Sequence, residues 1–86
     1  MRVEDIKARE VMPGYRGRFI HSERTTHVFW EIEPDRPLPE HAHPHEQIVN
    51  MLEGTFELTV DGTRHVLSAG DYFVIPPDVP HTGVAH

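Results

Sequence analysis

Turn signals recur at short intervals along this chain and leave no segment with the length and period of a stable helix. Pro13-Gly14, the run Pro34-Asp35-Arg36-Pro37-Leu38-Pro39, Gly54, Asp61-Gly62, Ala69-Gly70-Asp71 and the run Pro76-Pro77-Asp78-Val79-Pro80 divide it into short pieces. Several of those pieces alternate with period two. Tyr15 and Phe19 oppose Arg16 and Arg18, and Val28, Trp30 and Ile32 oppose His27, Phe29, Glu31 and Glu33. Phe56, Leu58 and Val60 alternate with Glu57 and Thr59, as in a strand buried on one face. Asp61-Gly62 is a two-residue hairpin signal, because a type I′ turn needs positive φ at both central residues. The pattern from Gln47 to Leu67 reads as a β meander, and Tyr72–Ile75 as a buried strand. Residues 1–14 read as an extended N-terminal arm, and the proline-rich run 34–39 as a stiff loop outside any sheet. Short strands at regular spacing predict an all-β sandwich or barrel.

Eighty-six residues suit one domain, here 1–86, near the lower limit for an unaided hydrophobic core. A homodimer sharing buried surface is therefore expected. The formal charge of −6, with no Lys/Arg cluster, argues against nucleic acid and anionic membrane surfaces as partners. There is no cysteine, hence no disulfide and no thiolate metal site, which fits a reducing compartment. No apolar run approaches a membrane span and the N-terminus has no apolar signal region, so a cytoplasmic location is expected.

The unusual feature of the composition is eight histidines. Three stand at 41, 43 and 45, in the segment His41-Ala42-His43-Pro44-His45-Glu46-Gln47. Side chains two apart share a face of a strand, so His41 and His43 can enter one cavity, and Gln47 can return to it across the Pro44 corner. Neutral imidazoles and an amide oxygen suit a divalent transition metal. A distant fourth donor is available in His81. His45 follows the corner and reads as a rim residue, and Glu46 points away from Gln47 in a regular strand. His21, His27, His65 and His86 lack partner spacing and read as surface residues. Trp30, Met51 and Phe56 read as barrel core. Arg18 is a candidate anion contact if its face turns inward.

His41-x-His43-x3-Gln47-x6-Gly54 resembles the first cupin motif, and Gly70-x5-Pro76-x4-His81 resembles the second. The resemblance covers residues 41–54 and 70–81. It implies a small jelly-roll (double-stranded β-helix) barrel in which His41, His43, Gln47 and His81 hold one divalent metal. Iron, manganese, nickel, copper and zinc all accept such donors. The family's glycines six residues before the first histidine and two after the proline of the second motif are Asp35 and Asp78 here, and its terminal asparagine is Ala85. A glutamine in place of the family's commoner glutamate leaves the donor set neutral. The ion then keeps its full charge, which favours an anionic ligand in the open positions and weakens retention of the metal.

The segment from Pro39 to Gly62 is similar to small cupins of the KdgF type, which open unsaturated uronates to linear ketones. The resemblance therefore implies metal-assisted chemistry on a small sugar acid or keto acid. In that family an Asp and an Arg on a strand after the second motif also take part, and no position among the five residues after His81 can inherit those roles. An iron-dependent dioxygenase and a non-enzymatic sugar- or metabolite-binding module are the alternatives.

Overall fold

The computed structural model describes residues 1–86 and is all-β, with nine strands and a single 3₁₀ turn at Val3–Asp5. The strands are β1 (Arg9–Met12), β2 (Tyr15–His21), β3 (Thr26–Ile32), β4 (Leu38–His41), β5 (Gln47–Asn50), β6 (Thr55–Val60), β7 (Thr63–Ser68), β8 (Tyr72–Ile75) and β9 (His81–Ala85). The chain divides into two compact units, Met1–Glu33 and Pro34–His86. No helix is long and apolar enough to cross a membrane.

The first unit is one antiparallel sheet in the order β1-β2-β3. The Pro13-Gly14 turn, with Gly14 at φ 85°, folds β1 back on β2, so the expected extended arm ends in a paired strand, with a bulge between Glu10 and Met12. β2 and β3 pair throughout, from Tyr15↔Ile32 to His21↔Thr26. Tyr15 and Gly17 are buried, whereas Trp30, expected in the core, is 41% exposed. Period two placed the indole on the more apolar face but could not tell whether that face would be covered.

The second unit holds two sheets, one in the order β4-β9-β6-β7 and a pair β5-β8. Asp61 (φ 48°) and Gly62 (φ 79°) close the β6-β7 hairpin as a type I′ turn requires. Phe56, Leu58 and Val60 on β6 lie at 9% exposure or below, as do Leu67 on β7 and Ile75 on β8. Burying each such side chain contributes about 1.5–3 kcal/mol. Asp35 and Asp78 both sit at φ 61°. They occupy left-handed positions where the resemblance puts glycine, and aspartate is among the few other residues that tolerate this conformation.

Three expectations are corrected. Residues 47–67 are not a meander, because β5 pairs with β8 and not with β6. Asp61-Gly62 supplies two consecutive positive-φ residues and makes a hairpin, but Gly54 (φ 79°) supplies only one, and the chain there bends across to the other sheet. β8 is half-buried: Ile75 is 1% exposed, but Tyr72 and Val74 are 69% and 42% exposed. Finally, Leu38 and Pro39 lie inside β4. β4 is an edge strand bonded only to β9, with its register shifting between Leu38 and His41, so an imino nitrogen leaves no ladder bond unmade.

Candidate metal centre

His41 ends β4 and His81 opens β9, and the register sets them directly opposite each other. Their rings lie 4.3 Å apart between centroids. His43 lies just beyond β4, in the segment leading to the Pro44-His45 bend, and its ring is 4.8 Å from that of His81 and 5.8 Å from that of His41. Gln47 begins β5 and returns to the group, with Oε1 3.0 Å from His43 Nε2. The four side chains singled out as ligands therefore converge, from β4, the following bend, β5 and β9. The loop ahead of His81 is clipped at both ends: Asp78 N–H donates to His43 O at 2.8 Å and Asp61 N–H to Pro80 O at 2.9 Å.

Each histidine is oriented by the backbone near it. Nδ1 of His41 donates to Pro39 O (2.8 Å), Nδ1 of His81 to Val79 O (2.9 Å), and Nδ1 of His43 to His45 O (2.7 Å). A carbonyl oxygen only accepts, so all three protons are fixed on Nδ1 and each neutral ring presents an Nε2 lone pair. His81 is 3% exposed and its Nε2 has no hydrogen-bond partner. Gln47 Oε1 lies 3.0 Å from His43 Nε2, so the amide oxygen and that ring nitrogen are close enough to share one cation.

A divalent cation fits this arrangement. One ligand atom from each histidine lies within 4.8 Å of the others. A tetrahedral ion with metal–nitrogen bonds of about 2.1 Å sets its donors about 3.4 Å apart, so closing the group on it takes side-chain shifts of at most about 1.4 Å. Three imidazoles and an amide oxygen are donors that transition metals accept. His45 is exposed, with its ring 6.2 Å from that of His43, outside the converging group. Arg18 belongs to the first unit, where it bonds Glu31 at 2.8 Å and the Ile6 carbonyl at 3.0 Å.

The model of the cupin domain matches residues 28–86, more than half of the chain. The chain is a cupin. Over 46 residues it is 48% identical to quercetin 2,3-dioxygenase of Bacillus subtilis (strain 168), and over 51 residues 37% identical to protein SchB of Streptomyces halstedii. Those matches take in 54% and 58% of this cupin but only 13% and 37% of the two relatives, so the chain spans a minor part of either. Among solved structures it is similar to KdgF from Halomonas sp. (TM-score 0.88, 27% identity, 95% of this chain and 76% of that one). It is also similar to an RmlC-like cupin from Shewanella frigidimarina NCIMB 400 (TM-score 0.86, 27% identity, 99% and 78%). The jelly-roll class expected from the two motifs is therefore the fold of this chain.

Two residues of the second unit differ from what the sequence indicates. His65 lacks partner spacing and reads as a surface residue, yet it is half-buried on β7 with its ring 4.4 Å from that of Phe73 on β8. Its parity with Leu67 on the same strand was the available signal. Gly83 was not singled out, yet a Cβ there would overlap the Phe56 ring. Phe56 therefore packs against the bare backbone of β9 at Gly83, two residues from His81.

Proposed function

We propose that this cupin binds one divalent transition metal through His41, His43, Gln47 and His81 and acts on a small oxygenated anion of the uronate or keto-acid class. The observation that carries the reading is the buried, partnerless Nε2 of His81, aimed into a group whose other ring protons are already committed to carbonyls. Leaving such an atom unsatisfied costs about 1–3 kcal/mol, a cost that a bound cation removes.

When bound, the ion supplies Lewis acidity toward a carbonyl or enol oxygen. The chain's own residues fix where that happens. His41, His43 and His81 hold their tautomers through Pro39, His45 and Val79, so the donors are ordered before any ligand arrives. Gln47 adds an oxygen without adding charge, so the site as a whole stays positive and draws a carboxylate. The exposed His45 imidazole, its ring 6.2 Å from that of His43, is a further group able to carry a proton. The similarity to KdgF from Halomonas sp. supports this reading, as does the neutral donor set.

The test is elemental analysis of protein purified without an affinity tag, followed by turnover of an unsaturated galacturonate, read as loss of ultraviolet absorbance. His41→Ala and His81→Ala should each lose the metal with the fold kept. Stoichiometric metal in either variant, or no turnover by metal-loaded protein, counts against the reading. The 48% identity to quercetin 2,3-dioxygenase favours a second one, an iron-dependent dioxygenase. Oxygen uptake with ferrous iron and a flavonol would establish it in place of the first.

A further inference from the structure

The first unit, which supplies none of the four proposed ligands, carries an aromatic face, and the geometry points to a binding platform there for the ring of a sugar acid. Arg9, Gly17 and Trp30 lie in one row across β1, β2 and β3. Gly17 is the hollow of that row. A Cβ there would lie 3.0 Å from Trp30 Cζ3, 3.0 Å from Phe19 Cε1 and 2.9 Å from Val28 Cγ1, so both rings lean over the bare backbone. Trp30 meets Phe19 edge to face at 5.7 Å and Tyr15 at 6.4 Å, which fixes the indole from two sides. Despite this bracing it is 41% exposed. A large aromatic side chain held rigid and left open to solvent is pre-organised to stack on the flat apolar face of a ring at little ordering cost.

The cation beside it selects the ligand's charge. The Arg9 guanidinium lies 4.4 Å over the Phe19 ring and makes no ion pair, whereas Arg2, Arg18 and Arg64 each pair with a glutamate. Stacking on a π face leaves the edge of the guanidinium free for a carboxylate. A six-membered ring bearing one carboxylate meets both demands, with its face on Trp30 and its acid group toward Arg9. This assignment rests on the proposed preference for small anions and narrows it to ring-form acids.

Trp30 is the only tryptophan in the chain, so its emission reports this face alone. D-galacturonate, titrated into metal-free protein, should quench or shift that emission saturably. A ligand of this size in an open site gives a Kd of about 1 mM. Arg9→Gln, an exposed substitution, should weaken galacturonate about five- to tenfold and leave the response to neutral galactose unchanged. Trp30→Leu should abolish the binding heat in calorimetry. Unchanged emission at tens of millimolar overturns the platform, even if metal-loaded protein consumes an unsaturated uronate. Saturable, Arg9-dependent quenching without any turnover supports the platform while the proposed chemistry fails. Quenching by quercetin but not by galacturonate overturns the acid ligand.

Discussion

Replacing His81 with Phe should invert the order of stability between metal-free and metal-loaded protein. The imidazole is 3% exposed, its Nδ1 donates to Val79 O, and its Nε2 has no partner. In metal-free protein that unsatisfied atom costs about 1–3 kcal/mol, and a phenyl ring of nearly the same shape removes it. The same change gives up the Nδ1 hydrogen bond, worth about 0.5–1.5 kcal/mol. The balance leaves metal-free His81→Phe more stable than its parent by about 1 kcal/mol, which raises the midpoint by roughly 4–8 °C in a domain of this size. The metal acts the other way. At a free-ion concentration about a hundredfold above Kd, binding to the folded state alone adds about 2.7 kcal/mol to the parent. That is a shift of roughly 10–20 °C, absent in the variant. Thermal melts of both proteins, in chelator and with iron, manganese, nickel, copper or zinc, give the comparison. The reasoning fails if no ion moves the parent's midpoint and metal-free His81→Phe melts well below it. His81 would then be a core histidine whose ring is worth more than the polar atom it buries.

Gly83→Ala drives a methyl group into the Phe56 ring, with the Glu57 carbonyl also only 3.2 Å away. It should cost about 1–3 kcal/mol in denaturant titration, and combining it with Phe56→Leu should recover part of that loss. Asp35→Gly and Asp78→Gly relieve a left-handed conformation at φ 61° and should each raise stability slightly, by up to about 1 kcal/mol, whereas Asp78→Val should lower it. Burial holds the Tyr15 phenol above its ordinary value of 10.0, so its contribution is whole below that pH and is lost as pH rises through the folded value. Stability of the parent should therefore fall more steeply than that of Tyr15→Phe above about pH 10. The homodimer expected from the small core should show a two-chain mass at micromolar concentration. Ile48, Tyr72 and Val74, exposed together on one face of the β5-β8 pair, are the apolar residues it should cover, so Tyr72→Lys should weaken it.

Strand existence was readable wherever one face is buried, because period two then writes burial into composition. β6 is the plainest case, with Phe56, Leu58 and Val60 inside and Thr55, Glu57 and Thr59 half-exposed between them. Strand partnership was not readable in the same way. Nothing local to Gln47–Asn50 distinguishes pairing with β6 from pairing with β8. What decides is a turn that lacks the second positive-φ residue and two bonds formed later in the chain, Gly70 N–H to Met51 O and Met51 N–H to Asp71 O. β3 shows the opposite limit. Its two faces alternate as expected, yet Phe29 and Trp30 are 38% and 41% exposed, because periodicity fixes parity and says nothing of what packs against each side.

The convergence of the four site residues was legible for a reason that goes beyond motif spacing. His41 and His81 each direct Nδ1 to the carbonyl two residues earlier, and His43 to the carbonyl two residues later. Those carbonyls belong to Pro39, to Val79 just before Pro80, and to His45 just after Pro44. Each ring is thus anchored to backbone stiffened at or beside a proline, whose fixed φ removes one of the local degrees of freedom. A solvated histidine-rich loop would have to order these rings when an ion arrives, at about 0.5–1.5 kcal/mol for each immobilised side chain. Here the ordering belongs to folding instead, so for the proposed metal site the affinity forgone by using Gln47 in place of a carboxylate would be offset in part by three donors already in position. Breaking one anchor should therefore weaken metal binding without touching a ligand. Pro39→Gly leaves His41 in place and its carbonyl partner present but free to move. Its metal Kd should rise about three- to tenfold, with unchanged stoichiometry in competition titration. An unchanged Kd would mean that the prolines shape only the edge of the sheet.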